Sequence, residues 1–342
     1  MRKKLLIGFL LAVLAVGMTF SAGMAKDLVM YTALDVDEAK IYINAFEKSH
    51  PDINVKWTRL SAGEALARIK AESSNPQASL FFGGSSTAHI GAANAGLLKP
   101  YKSTGWQYLS SEYKDPKGRW TGFYTGYIGF VTNTEFLDEH NVEAPDSWQD
   151  LLKPVFKNEI IKAYPYTSGT AYTTLISQLQ AMGPKDEGWD EKDRDYIGKL
   201  NKQIHHYTRS GSACVTLVGQ GEGAVGIAFS HDILAKGVDK GYPVKLTFPS
   251  EGTGFEVGAV SIIKGGPTPE TAKTFIDWLM TAEAQSLFKK WFRVPLNPEA
   301  ELAKGLVTAS EVPVIKGFSD SVTWYGEHKS QIVDVWRQIT GQ

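Results

Sequence analysis

Strand-like and helix-like stretches alternate along the first hundred residues after position 25, and this alternation limits the fold more than any other feature of the chain. Residues 28–31 read as a buried strand, 36–49 as an amphipathic helix stopped by Pro51, and 53–57 as a second strand. A helix follows Ser61, which stands three residues before Glu64 in a capping-box arrangement, and 78–82 form a third strand that runs straight into Gly83. Strands separated by helices pair in parallel, because the chain must cross the sheet before laying down the next strand, and ligands of such sheets sit beyond the strands' carboxyl ends. A strand-rich stretch at 122–132 and a short helix at 148–152, with Ser147 as its N-cap, interrupt the pattern. It restarts with a strand at 160–164, a helix at 171–181, a long polar helix at 191–206, a helix ending at 219–223 and a strand at 224–229; a strand at 258–263 and helices at 267–280 and 282–291 follow. Two such blocks predict an α/β protein of two lobes, each a mixed sheet flanked by helices, with crossings at 127–133 and 255–260 and a small ligand in the cleft. The expected organisation is lobe one over 26–130, lobe two over 131–256, and a return to lobe one with C-terminal helices over 257–342.

The residues before this pattern read as an export signal. Arg2, Lys3 and Lys4 precede an apolar run over 5–16 and small residues at Ser21, Ala22, Gly23 and Ala25, which predicts a signal peptide over 1–25 cut after Ala25 or Gly23. The single cysteine, Cys214, stands far from that cut, so the reading is a periplasmic protein without a lipid anchor and without an internal disulfide. The 317 residues that follow carry 33 basic and 37 acidic side chains, a net charge of −4, which gives no electrostatic footprint for nucleic acid.

Three clusters of Ser, Thr and Gly each run into a predicted helix start: Gly83-Gly84-Ser85-Ser86-Thr87, Ser168-Gly169-Thr170 and Ser210-Gly211-Ser212. A helix start exposes unpaired backbone N–H groups and the positive end of a dipole, glycine lets a ligand approach the main chain, and a hydroxyl adds a donor. Any one cluster is explained by ordinary capping and loop punctuation. Three together favour a ligand with a phosphate, phosphonate or carboxylate.

Other chemistry is poorly supported. Residues 219–223, Gly-Gln-Gly-Glu-Gly, precede a strand instead of following one, so they do not form a dinucleotide loop, and the phosphate-loop, HExxH and GxSxG patterns are absent from the sequence. His205 and His206, read as a solvated helix end, cannot jointly face one metal. Cys214 reads as a small buried hydrophobe. His231-Asp232 follows an apolar strand and Ser230; this pair could hydrogen-bond ligand hydroxyls or simply begin a helix. Glu251 and Glu256 supply carboxylates near the second crossing. Trp324-Tyr325 could stack on a sugar, but packing explains them as well.

The apolar opening Leu28-Val29-Met30-Tyr31-Thr32, Phe82-Gly83-Gly84-Ser85, Pro145-Asp146-Ser147-Trp148, Ser168-Gly169-Thr170-Ala171-Tyr172, Gly221-Glu222-Gly223 with its following strand, and Glu251-Gly252-Thr253 together resemble the periplasmic solute-binding proteins of ABC importers. Within them the chain is similar to the group that contains the ferric-iron-binding proteins. The resemblance implies two α/β lobes joined by hinge strands that close on a ligand and deliver it to a membrane permease, with no catalysis and no cofactor. It does not imply iron. Iron-binding members carry two adjacent tyrosines where this chain has Ser230-His231-Asp232, and losing those phenolates removes most of a ferric site.

The chain resembles instead the sugar-phosphate-binding branch. That resemblance implies His231, Asp232 and a glutamate, Glu251 or Glu256, on sugar hydroxyls. The clusters Ser85, Ser86, Thr87, Ser168, Gly169, Thr170, Ser210, Gly211 and Ser212 would hold the phosphate, and Thr32 is a further candidate ligand-binding residue. The expected protein is a monomer that captures a small anionic ligand, most simply a hexose phosphate. Ferric iron or another cation, a phosphonate, thiamine, a polyamine and a secreted phosphatase are the competing readings.

Overall fold

The computed structural model describes residues 26–183 and 189–342; the expected signal segment lies outside them. The first lobe opens with β1 (Lys26–Thr32), α1 (Val36–Ser49), β2 (Ile53–Arg59), α2 (Ala62–Ala71), β3 (Leu80–Ser85), α3 (Ser86–Asn94) and the short β4 (Leu98–Lys99). The central β1 pairs in parallel with β2 on one side and β3 on the other, with Thr32 opposite both Arg59 and Phe82. The carboxyl ends of all three strands therefore stand at one edge. Ser61 and Glu64 form the expected capping box, the Ser61 N–H and hydroxyl both donating to Glu64 Oε2.

A long strand, β5 (Thr121–Asn133), then joins the lobes, and all of it is buried. The second lobe continues with α4 (Thr134–His140), β6 (Ile160–Ala163), α5 (Gly169–Ala181), α6 (Glu191–Asn201), β7 (Ile204–Thr208), α7 (Ala213–Gly219), β8 (Val225–Phe229), α8 (Ser230–Lys236) and β9 (Val244–Thr247). The return is β10 (Phe255–Ile263), followed by α9 (Pro269–Leu279), α10 (Ala282–Ser286), β11 (Val294–Pro295), α11 (Phe318–Glu327) and α12 (Lys329–Thr340).

The main strand order is β2-β1-β3-β10-β5-β8-β6-β7. Residues 121–127 of β5 pair with β10, and residues 128–133 pair with β8 and β9, so one strand belongs to both sheets. Beside it, Thr253 Oγ1 donates to the Ile128 carbonyl and Ile128 N–H donates to the Gly254 carbonyl. The chain thus crosses between the lobes at two adjacent points, on β5 and just before β10, the geometry of a two-strand hinge, and crosses once more ahead of its C-terminal helices.

Each lobe has its own core. In the first, Phe82, Phe123 and Val260 of the sheet pack on Tyr42, Phe46, Phe275 and Phe288. In the second, Ile128, Phe130 and Ile227 pack on Trp148, Tyr172 and Leu175. The C-terminal helices join this second core through Phe318, Tyr325, Ile332 and Trp336, and α11 also packs against α3 of the first lobe.

Some local expectations are corrected. The polar helix stops at Asn201, and His205-His206 lie on strand β7, where alternate side chains point to opposite faces; they are not a helix end. The helix expected over 282–291 becomes α10 followed by a 3₁₀ turn, and residues 149–152 likewise form a 3₁₀ turn.

Candidate functional site

The strand ends and helix starts of both lobes meet at one small cavity of about 60 Å³. The first lobe contributes Asp35 after β1, Arg59 at the end of β2, Gly84 and Ser85 at the end of β3, Tyr124 and Glu256 from the hinge strands, and Arg293. The second lobe contributes Ser168, Gly169 and Thr170 at the start of α5, the turn 210–212, and His231 and Asp232 from α8. Ser85 accepts from the Thr87 N–H, and Ser168 accepts from the Ala171 N–H, so both serines cap the helices they precede. The clusters touch one another. A Cβ on Gly211 would stand 2.2 Å from Thr170 Oγ1 and 2.7 Å from Ser168 Oγ, and one on Gly169 would stand 3.1 Å from the Ser85 Cβ.

Four of the residues named from the sequence lie elsewhere. Ser86 and Thr87 line a second cavity of about 410 Å³ beneath α11, together with Phe255 and Val257 of β10 and with Ser85, which borders both cavities. Thr32 is buried, and its hydroxyl accepts from the Leu34 N–H within the turn after β1. Glu251 accepts from Ser147 Oγ at 2.5 Å and from the Trp148 N–H at 3.1 Å, which fastens the loop before β10 to the second lobe. Of the two candidate glutamates, Glu256 is the one at the cavity. Trp324 is stacked on His328 at 4.2 Å and Tyr325 is buried, so this pair is committed to packing.

At the floor of the cavity Arg293 organises a buried polar cluster. Its Nε and Nη2 donate to the two oxygens of Glu38 at 2.5 and 2.8 Å, and its Nη1 donates to His231 Nε2 at 2.7 Å and to Glu256 Oε1 at 3.4 Å. The guanidinium also lies over the Tyr124 ring, 4.1 Å from its centre. An arginine always donates, so His231 Nε2 is an acceptor and the imidazole is neutral. Burial, reinforced by the positive charges of Arg293 and Lys236, holds its pKa well below the ordinary value. Burial pushes Glu256 up to about 8 against the pull of Arg293, and pushes Asp232 up to about 6 against the pull of Lys236. Near neutral pH the floor can therefore offer a neutral carboxyl, a carboxylate and an imidazole, a set suited to hydroxyl groups.

At the rim a second cluster crosses between the lobes. Asp35 accepts from Arg59 Nη2 at 3.0 Å, from Ser212 Oγ at 3.0 Å and from the Lys236 ammonium. Lys236 Nζ also donates to Ser212 Oγ at 2.7 Å, and Arg59 reaches Ser210 Oγ at 3.3 Å. Burial would raise the Asp35 pKa, but Lys236 and Arg59 bring it below the ordinary carboxylate value. Outside this cluster Arg209 pairs with Glu64, and the Gly63 N–H donates to the Thr167 carbonyl at 3.0 Å, again from one lobe to the other. The lobes are in contact along this seam.

Asp35, Arg59, Lys236, Arg293 and Glu38 were not singled out from the sequence. The rule that ligands lie beyond the carboxyl ends of parallel strands, applied to β1 and β2 as well as β3, points to Asp35 and Arg59. Lys236 stands four residues after Asp232 and so shares its helix face. Nothing local marks Glu38 or Arg293, whose meeting depends on residues 255 positions apart. Among the described residues no group of three His, Cys, Asp or Glu side chains is arranged to hold a metal ion.

Comparison with known proteins agrees with this architecture. Residues 75–316 match the family of bacterial extracellular solute-binding proteins. The chain is 32% identical to an uncharacterised protein of Haemophilus influenzae over 96% of this chain and 95% of the other. It is 30% identical to the probable ABC transporter periplasmic-binding protein y4fP of Sinorhizobium fredii, covering 89% and 83%. Its identity to a putative 2-aminoethylphosphonate-binding periplasmic protein of Salmonella typhimurium is 25%, covering 80% and 79%. Among solved structures, the periplasmic binding protein AfuA of Actinobacillus pleuropneumoniae, with exogenous fructose-6-phosphate bound, superposes with a TM-score of 0.86 at 30% identity, covering 92% of this chain and 99% of that one. Iron-bound HitA of Pseudomonas aeruginosa shares the fold, with a TM-score of 0.77 at 19% identity over 92% and 99%. The chain therefore belongs to the bacterial extracellular solute-binding proteins, the periplasmic components that capture a ligand for an ABC transporter and do not transform it.

Proposed function

We propose that this protein captures a phosphorylated small molecule, a hexose phosphate, for uptake through its permease. The observation that carries the reading is the convergence on one cavity of two helix N-termini, α3 and α5, with the Ser210 and Ser212 hydroxyls and the Arg59 guanidinium, backed by Lys236, which donates to Ser212. This is an oxyanion environment. His231, Asp232 and Glu256 stand at the other side of the same cavity and suit the hydroxyls of a sugar. The fructose-6-phosphate named with AfuA supports this division of labour, and the phosphonate named with the Salmonella relative supports the oxyanion half.

A cavity of about 60 Å³ is far below the roughly 300–1,000 Å³ of clefts that enclose drug-sized ligands, so capture requires the lobes to part and close again around the ligand. The reading is tested by titration calorimetry on the purified mature chain with fructose 6-phosphate, glucose 6-phosphate, fructose, inorganic phosphate, 2-aminoethylphosphonate, thiamine and ferric iron. A hexose phosphate should bind more tightly than fructose or phosphate alone. Tighter binding of 2-aminoethylphosphonate, thiamine or iron would overturn the assignment.

A further inference from the structure

Asp35 occupies the N-cap position of α1, where an aspartate ordinarily accepts a hydrogen bond from one of the first helical N–H groups. Here it does not. Its backbone is extended as a cap requires, with φ −68° and ψ 155°, but its side chain makes no capping bond. The carboxylate is turned out of the first lobe and takes Lys236 and Ser212 of the second lobe, together with Arg59 of its own. The arrangement forgoes a local bond in favour of one across the cleft.

Two donor groups that line the cavity, Arg59 and Ser212, and the Lys236 ammonium beside them are thereby satisfied by a carboxylate of the chain itself. A phosphoryl oxygen would call on the same ammonium, guanidinium and hydroxyl, because both ligands are small anionic oxygens that accept charge-assisted hydrogen bonds. The Asp35 side chain is 28% exposed and the Lys236 side chain 19% exposed, so the network lies at the mouth of the cleft and can exchange partners without disturbing either core.

We infer that Asp35 is an internal surrogate for the ligand's anionic group: it holds the lobes together in the absence of ligand and must yield Lys236, Ser212 and Arg59 when the ligand enters. The displacement half of this inference rests on the phosphate reading above; the closure half does not. Affinity is then a difference between ligand and Asp35 for the same donors, and an anion too weak to displace the carboxylate is rejected. Asp35 becomes a specificity-determining residue.

The test uses Asp35→Asn and Lys236→Met in the full mature chain, with circular dichroism to establish that both fold. Small-angle scattering in buffer alone should give a larger radius of gyration for both variants than for the natural sequence, because each breaks the cross-lobe network. Titration with fructose 6-phosphate should then separate them in opposite directions. Asp35→Asn removes the competitor and should lower Kd about tenfold, whereas Lys236→Met removes a donor and should raise it about tenfold or more. If Asp35 were only a latch that persists in the liganded state, both variants would bind more weakly, which overturns the displacement. An unchanged radius of gyration for Asp35→Asn overturns the closure. If fructose 6-phosphate binds none of the three proteins, the hexose phosphate reading falls, and the scattering comparison still decides whether Asp35 holds the lobes together.

Discussion

Arg293 and His231 meet across the cleft floor, Nη1 donating to Nε2 at 2.7 Å, and the contact ties the segment before β11 in the first lobe to the first turn of α8 in the second. The other arm of the same guanidinium grips both oxygens of Glu38. All three side chains are buried. Removing the arginine would leave the Glu38 charge without its partner in a dry environment, a change that costs about 3–5 kcal/mol in comparable buried pairs. Arg293→Met is therefore expected to lower the urea midpoint sharply, and Arg293→Met combined with Glu38→Gln to recover part of the loss. Equal midpoints for the single and double variants would refute the pairing.

His231 fits only because Gly126 has no side chain. A Cβ at position 126 would lie 2.1 Å from His231 Nδ1, and the backbone there belongs to the hinge strand β5. Gly126→Ala should push the imidazole off the floor, weakening fructose 6-phosphate binding at least tenfold and lowering the melting temperature by several degrees. The natural affinity in this variant would show that His231 does not read the ligand.

Much of this architecture is legible in the chain before any coordinates. The first lobe's strand-helix alternation appears because each amphipathic helix buries one face on a continuous apolar strand, and α1 is found at its expected bounds. The convergence of Ser85, Ser168 and the turn 210–212 follows from the rule about strand ends. Ser86 and Thr87 border only the cavity beneath α11, whereas Ser85, at the junction of β3 and α3, borders both cavities, a distinction the cluster's sequence does not carry. Glu251 and Glu256 could not be separated, since strand alternation assigns a face only once the start of β10 is known. The charged residues of the site escaped notice for a different reason. A lone Arg or Asp in sequence has the prior of a solvated side chain, and only the long-range contacts between Glu38, Arg293 and His231 show otherwise.

A buried acid, Glu256, and a buried histidine, His89, give stability opposite dependences on pH. Glu256 titrates at about 8 in the folded protein against an ordinary value of 4.5, so the folded state holds a proton that the unfolded state has released between those values. Its contribution is fully present below pH 4.5 and is lost as pH rises toward 8. His89 behaves in reverse. It is buried between Ser261 Oγ at 2.8 Å and the Gly83 carbonyl at 3.1 Å, and burial lowers its pKa from 6.5 to about 4. Its contribution is present above pH 6.5 and is lost as pH falls through 4, by about 3 kcal/mol at most. Denaturation at a series of pH values should show a flatter fall above pH 4.5 in Glu256→Gln, and a flatter rise between pH 4 and 6.5 in His89→Gln. Slopes identical to the natural protein's would remove the titration assigned to each residue.

Glu251 and Glu256 offer the sharpest separation of binding from folding, because they are five residues apart and have different partners. Glu251 accepts from Ser147 and the Trp148 N–H and fastens a loop. Glu256 faces the cavity and meets Arg293 and His231, 3.4 and 3.5 Å away. Truncating Glu251 strands the Trp148 N–H and should cost about 1–3 kcal/mol of stability while leaving the calorimetric affinity for fructose 6-phosphate within twofold. Glu256→Gln keeps the shape of the floor but exchanges a titrating carboxyl for an amide that cannot give up a proton, so affinity should fall about tenfold and lose the change that ionisation of Glu256 brings as pH rises through about 8. The distinction is carried by the pair: a loss of affinity in the Glu251→Ala variant equal to that in Glu256→Gln would mean that hinge rigidity, and not contact with the ligand, sets the binding constant.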